Sequence, residues 1–331
     1  MSLKAGKITP EILKEMLKKI ECSSQDLVIG PSYGIDGAVL KIGEELVAVA
    51  SDPITFTSKD NVYYLFACNI NDLICMGAKP EFLGMNVLFG EGITKAEVAM
   101  TFNEIARFSK EFNICVVTGH TEVTPYVKET ILSGFIFGRV IKEVSPHKIL
   151  PGDLIVQLRG VAIEGTCIIA REKAGDLIRN FSPEFVERCK DFLFEPGISL
   201  YSIGIKLLEN YEIHNLHDPT EGGIITALYE ALSASGCGGV VYVDRIHIYE
   251  ETAKICNYYG INPLGVISSG SLVVFASPAE SERMCSDFER EGIPAEVIGE
   301  VTAPGTGVWL QKDGSREELK PFLRDEILEI L

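Results

Sequence analysis

The spacing of apolar residues changes several times along the chain, and each change marks an element. Residues 8–20 repeat at helical spacing, with Thr9 placed to cap the run and Pro10 suited to its first position. A glycine-rich stretch, Gly30-Pro31-Ser32-Tyr33-Gly34-Ile35-Asp36-Gly37, leads into apolar runs at 38–42 and 46–51 joined by Gly43-Glu44-Glu45, the pattern of a hairpin. Residues 60–77 are apolar nearly all round, which predicts a buried helix. A strand at 82–89, a helix at 94–112 and strands at 114–118 and 130–141 follow. The last alternates so poorly that burial on both faces is expected. Pro146, Pro151 and Gly152 then interrupt the pattern.

Past that break, strands are predicted at 153–158, 239–243, 271–276, 295–300 and 306–311. Helices are predicted at 164–174, 198–210, 221–235, 248–259 and 279–292, and a final amphipathic helix at about 317–330 carries Phe322, Ile327, Leu328 and Leu331. The fold class is α/β (α+β), with two mixed lobes. The expected division is an N-terminal helix and arm at 1–30, a first domain at 31–145 and a second at 146–331.

Charge narrows the partners. The 331 residues carry a formal charge of −17, which would repel a polyanion, so nucleic acid is not an expected partner. A single nucleotide remains compatible, because one divalent cation can locally overcome a diffuse negative field. No apolar run reaches the ~18 residues of a membrane span. The first residues also lack the apolar core of a signal peptide, so a cytoplasmic protein is expected. Nine cysteines, an odd count with no C-x-x-C pair, read as reduced core thiols.

The candidate chemistry lies on a few polar residues in unexpected places. The Walker, Rossmann, protein-kinase and nucleophile-elbow motifs are missing, so any nucleotide must be held by another design. Asp36 is flanked by Gly34 and Gly37, as a turn aspartate or a ligand would be. Asp52 ends an apolar strand before Pro53, which suits a strand-end turn as well as a ligand site. Asn69 and Asp72 lie three apart on the apolar helix, where an unpaired carboxylate would cost several kcal/mol. Mg²⁺ takes one or two carboxylates and completes its shell with water and phosphate oxygens, so Asp36, Asp52 and Asp72 are the candidate metal ligands.

After the strand at 114–118, Gly119-His120-Thr121-Glu122 offers groups that bind or move protons, with His120 and Glu122 the candidate catalytic pair. A capped turn holding a hydrogen-bonded histidine reads the same way. His217-Asp218-Pro219-Thr220-Glu221-Gly222-Gly223 precedes a helix. Asp218 or Thr220 suits its cap, and the glycines would let a phosphate approach its N-terminus.

In order, Gly34-Ile35-Asp36-Gly37-Ala38, Ser51-Asp52-Pro53, Asn69-x-Asn71-Asp72-Leu73-x-x-Met76-Gly77-Ala78-x-Pro80, Thr118-Gly119-His120-Thr121, Pro151-Gly152-Asp153 and Asp218-Pro219-Thr220-Glu221-Gly222-Gly223 resemble the aminoimidazole ribonucleotide (AIR) synthetase superfamily. Within it the chain is most similar to the HypE family of hydrogenase maturation factors. The resemblance implies a homodimer whose first lobes pair strands into a shared intersubunit β-barrel. It also implies ATP and Mg²⁺ as cofactors, with the metal on Asp36, Asp52 and Asp72. Nucleotide contacts would come from Gly34, Asp36, Asn69, Gly119, Thr121, Asp218, Thr220, Gly222 and Gly223.

Two departures stand out. The last cysteine is Cys285, whereas HypE uses a cysteine at its C-terminus, and the family's Gly-Asp-Thr-Lys is here Gly119-His120-Thr121-Glu122. The expected function is therefore ATP-dependent activation of a carboxamide or similar oxygen on a substrate other than its own tail, with a possible link to hydrogenase maturation left open. The alternatives are a small-molecule kinase resembling thiamine-monophosphate kinase, or a non-catalytic nucleotide-binding partner protein.

Overall fold

The structure, a computed structural model, describes residues 8, 10–20, 22–55 and 59–331, and the expected cap Thr9 lies outside them. The first sheet contains β1 (Leu27–Ile29), β2 (Ala38–Ile42), β3 (Glu45–Ala50), β4 (Pro53–Ile54), β5 (Phe82–Gly90), β6 (Cys115–Thr124) and β7 (Ile131–Arg139). Their order is β1-β2-β3-β7-β5-β6, with β4 also paired to β7. Helices α1 (Pro10–Leu17), α2 (Asn61–Cys75) and α3 (Lys95–Glu111) belong to the same half of the chain. β5 and β6 are parallel, a pairing that needs a long crossover, and α3 supplies it. α3 starts sharply because Thr94 and Glu97 form a reciprocal capping box.

One face of this sheet is covered. Leu83, Val87 and Phe89 of β5 and Leu132 and Ile136 of β7 are buried in the cluster that contains α2. Among the described residues, the other face is left uncovered. Along β7, Leu132, Gly134, Ile136 and Gly138 are buried, while Phe135 and Arg139 are exposed. The expectation of burial on both faces fails because the outward positions carry aromatics where alternation would place polar groups. Phe82, Phe135 and Phe137 cluster there, with ring centroids 5.2 and 5.9 Å apart.

The second sheet contains β8 (Leu154–Leu158), β9 (Asn215–His217), β10 (Gly238–Tyr242), β11 (Leu272–Ala276), β12 (Ala295–Thr302), β13 (Val308–Lys312) and β14 (Ser315–Glu318), in the order β14-β13-β10-β12-β8-β11-β9. It is accompanied by α4 (Ile163–Glu172), α5 (Ala174–Asn180), α6 (Pro183–Asp191), α7 (Tyr201–Asn210), α8 (Gly223–Ser235), α9 (Glu250–Tyr259) and α10 (Pro278–Arg290). The helix expected at 317–330 is not formed. Residues 315–318 pair with β13 instead, and only Glu326–Glu329 make a short 3₁₀ turn, with Ile327 fully buried.

The two halves share a core. One cluster of buried residues runs from Val39 of β2 through α2 to Phe288 of α10. Asn71, buried in α2, ties them by hydrogen bonds: its side-chain amide donates to the Ile198 carbonyl at 2.9 Å and its oxygen accepts from the Leu200 N–H at 2.8 Å. Of the cysteines, Cys75, Cys167, Cys189 and Cys256 are buried free thiols, as expected, but Cys22 and Cys115 are exposed.

Candidate functional site

Every residue of α2 is buried except Asn61, Cys68 and Asp72. The last two lie four apart on the same helical face as Tyr64, and Tyr64, Cys68 and Asp72 together line a cavity of about 330 Å³. The opposite walls come from Asp36, the segment Ser51–Thr55, Glu164 at the start of α4, Thr220 and Glu221 before α8, and Ile267 and Ser269. The site thus lies where the two halves meet. Asp36, Asp52 and Asp72, named from separate segments, open onto one cavity.

Asn69 does different work from that expected of it. It is fully buried, accepts the Asp52 backbone N–H at 3.1 Å and donates to the Leu65 carbonyl at 2.8 Å. Gly134 lets β7 pass close to it, since a Cβ there would lie 2.6 Å from the Asn69 amide nitrogen. Asn69 therefore sets the position of Asp52, and its polar groups are used by the protein itself.

Asp36 is held by His217, a residue that sequence reasoning quoted but gave no role. The His217 ring is buried, with Nδ1 2.9 Å from Asp36 and Nε2 3.2 Å from Glu230. Burial opposes its protonation, but Asp36 and Glu230 prevail and raise its pKa well above the ordinary value. Asp218 sits next to it, with the Cys75 thiol donating to its carboxylate at 3.6 Å. Asp36, Cys75 and Asp218 present ligand atoms all within 4.8 Å of one another. Burial, then Asp218, pushes the Cys75 thiol well up, so it stays protonated and suits a hard cation poorly. Asp36 and Asp218 thus present carboxylate oxygens close together, and Asp36, Asp52 and Asp72 line the cavity; carboxylate oxygens are the donor type that Mg²⁺ takes.

Several expectations change. Gly119, His120, Thr121 and Glu122 lie inside β6, not in a turn after it. His120 Nε2 meets Glu122 at 3.3 Å on an exposed edge strand, and neither lines the cavity. Register places His120 opposite Asn86, Asn86 opposite Ser133 and Ser133 opposite cavity-lining Pro53. Three strand spacings put His120 about 14 Å from that wall. Gly119 is required because a Cβ would lie 2.3 Å from the Met85 carbonyl of β5.

Gly222 and Gly223 are not an open cradle either. The Gly222 N–H donates to Asp325 at 2.8 Å, and a Cβ on Gly223 would lie 2.4 Å from the Leu264 carbonyl. Gly222 itself caps α8, and neither Asp218 nor Thr220 does. Gly34 packs against the Glu230 backbone, where a Cβ would lie 3.0 Å from its carbonyl.

Glu164 went unnoticed in the sequence. Its side chain is 4 % exposed, and burial raises its pKa to about 8 although the Ser269 hydroxyl and backbone favour the charged form. Its readable signal was a single acid in the apolar helical run Val161-Ala162-Ile163-Glu164-Gly165-Thr166-Cys167-Ile168-Ile169.

Residues 34–140 match the N-terminal domain, and residues 151–310 the C-terminal domain, of the AIR synthase related proteins. The chain belongs to this family. A hydrogenase expression/formation protein of Methanocaldococcus jannaschii is 28 % identical over 319 residues, covering 92 % of this chain and 91 % of its own. Carbamoyl dehydratase HypE of Cupriavidus necator is 27 % identical over 249 residues, covering 71 % and 66 %. The structure of hydrogenase maturation protein HypE in complex with ATP superposes with a TM-score of 0.72 at 20 % identity, covering 94 % of this chain and 91 % of that one, which establishes a shared fold. Among the described residues, no helix is long and apolar enough to cross a membrane.

Proposed function

We propose that this AIR synthase related protein is a HypE-like, ATP- and Mg²⁺-dependent enzyme that activates the oxygen of a carboxamide or similar group. The observation that carries the reading is the convergence of Asp36, Asp52 and Asp72 on one cavity between the two halves. The names of its relatives, carbamoyl dehydratase and hydrogenase expression/formation protein, support the class of reaction. ATP would supply a phosphoryl group to the substrate oxygen, converting it into a leaving group. The protein's part is positional. His217 and Glu230 fix Asp36, Asn69 fixes the Asp52 backbone, and Asn71 locks the second half against α2. Mg²⁺ on these carboxylates would offset phosphate charge that a chain of −17 otherwise repels.

The reading includes a homodimer. The uncovered face with Phe82, Phe135 and Phe137, and the exposed edge strand β6 with Val117 and Val123 at 47 and 56 % exposure, are what a second copy would cover. Pairing through β6 would also give His120 and Glu122 surroundings that a single chain does not.

Asp72→Asn tests the metal role, because it keeps shape and hydrogen bonding and removes one charge. Calorimetry with Mg-ATP should show at least a tenfold loss of affinity, about 1.4 kcal/mol or more. Unchanged affinity would refute the assignment of Asp72 to the metal.

A further inference from the structure

Two cavities meet at Asp36. It lines the larger one with Asp52 and Asp72, and it also lines a second, of about 10 Å³, together with Cys75 and His217. Cys75 stands in the last turn of α2, three residues after Asp72, and lines only the smaller cavity. A buried cysteine is ordinarily a small apolar core residue. Cys75 is 4 % exposed, yet its sulfur meets a carboxylate, with Sγ 3.6 Å from Asp218 Oδ1. An oxygen of Asp36 completes the group, and the three ligand atoms all lie within 4.8 Å of one another. They come from three separate segments: the loop before β2, the end of α2 and the residue after β9. A thiol–carboxylate hydrogen bond accounts for the sulfur–oxygen contact, but it does not require the third ligand atom.

The donors and the space define the guest. Tetrahedral Zn²⁺ holds a thiolate at about 2.3 Å and a carboxylate oxygen at about 2.0–2.2 Å, so adjacent ligand atoms stand roughly 3.5 Å apart. The Cys75–Asp218 separation of 3.6 Å already has that value. His217 Nδ1, 2.9 Å from Asp36, is the outer partner that orients a ligating carboxylate. Mg²⁺ does not suit this pocket. It takes oxygen donors and keeps several waters, whereas one donor here is sulfur and the space admits about one water-sized guest. Zn²⁺ and Co²⁺ accept sulfur and a four-coordinate shell.

We propose that Asp36, Cys75 and Asp218 form a second metal site, for a sulfur-accepting divalent ion such as Zn²⁺, and that filling it withdraws Asp36 from the Mg²⁺ side of the cavity wall. The Cys75 S–H bond breaks as the sulfur–metal bond forms, the electron pair stays on sulfur and the proton leaves to solvent. Bound Zn²⁺ then opposes Mg-ATP and acts as an inhibitory control. That consequence rests on the proposed reaction; the site itself does not.

The test adds Co²⁺ and then Zn²⁺ to the nucleotide-free full chain at pH 7 without oxygen. One equivalent of Co²⁺ should give a near-ultraviolet sulfur-to-cobalt charge-transfer band and the strong visible absorption of a four-coordinate ion, and Zn²⁺ should bleach both. Cys75→Ser should remove the charge-transfer band, and Asp218→Asn should weaken Co²⁺ at least about tenfold. Replacing the exposed thiols, Cys22→Ser with Cys115→Ser, should leave the band in place. Asp72→Asn lies outside the group and should keep the band while losing Mg-ATP affinity, so failure of the Mg²⁺ assignment is read separately from failure of this one. Zn²⁺ should lower Mg-ATP affinity at least tenfold in the parent and not in Cys75→Ser. Melting curves report the fold of each variant, and if Cys75→Ser does not fold, Asp218→Asn decides. Co²⁺ bound without the band, a band that survives in Cys75→Ser or vanishes with the exposed thiols, or unchanged Co²⁺ affinity in Asp218→Asn overturns the site. Mg-ATP affinity indifferent to Zn²⁺ overturns the control.

Discussion

Glu164 makes the stability of the nucleotide-free protein depend on pH in a direction that can be worked out. Its pKa is about 8 in the folded chain against an ordinary 4.5. Between those values the folded state holds a proton that the unfolded state has released. Stability is therefore complete below pH 4.5 and falls as pH rises toward 8. The difference between 8 and 4.5, at 1.36 kcal/mol per pH unit, sets an upper bound of about 5 kcal/mol. Glu164→Gln keeps the shape and the hydrogen-bonding capacity but cannot ionise, so it escapes this loss. The variant should match the parent near pH 4.5 and exceed it by up to about 5 kcal/mol at pH 8.5. For 331 residues at about 2.1 cal/mol/K each, that is a Tm difference of roughly 7 °C. Differential scanning calorimetry of both proteins at the two pH values, without nucleotide or metal, reads it directly. The other titrating groups are common to both proteins and cancel in the comparison. Parallel Tm values at pH 4.5 and 8.5 would refute the claim that burial raises the Glu164 pKa.

Two further outcomes follow from the same geometry. Asp325, which accepts the Gly222 and Ile327 N–H groups and is raised by burial to about 6 from 3.8, should cost the protein up to about 3 kcal/mol as pH rises from 4 to 6. Asp325→Asn should flatten that window in urea unfolding, and an unchanged pH slope counts against it. Phe135→Glu, placed on the uncovered sheet face at 47 % exposure, should convert a dimer to a monomer by light scattering at micromolar concentration with little change in monomer stability. A parent protein that is already monomeric removes the dimer.

The parts of the site that were legible in the sequence are those whose signal is local. Asp72 stood out because a carboxylate in an otherwise apolar helix conflicts with its surroundings, and the structure opens that position to a cavity. Asn69 carried the same signal but a different cause: its partner, the Asp52 backbone, lies 17 residues away, and helical spacing holds no information about it. His217 was hidden for a similar reason, since Asp36 is 181 residues distant. β6 was cut short because its second half is polar and, as an edge strand exposed on both faces, has no alternation to detect. The false helix at 317–330 had a readable contradiction. Pro321 falls within it, and a proline inside a helix removes a hydrogen bond and clashes with the preceding turn.

Glu164 carries the same sequence signal as Asp72. The run 161–169 is as apolar as the middle of α2, and it too contains one acid. The reasoning that singled out Asp72, that a helix does not bury a carboxylate without a reason, applies equally there. In the folded chain both helices contribute to the lining of one cavity. The acid on α2 lies toward the carboxylate cluster, where a cation would favour the charged form. The acid on α4 lies beside Tyr64, and burial raises its pKa to about 8. Two acids with the same sequence signature thus meet different surroundings: one lines the cavity with other carboxylates, and the other is buried and has its pKa raised to about 8.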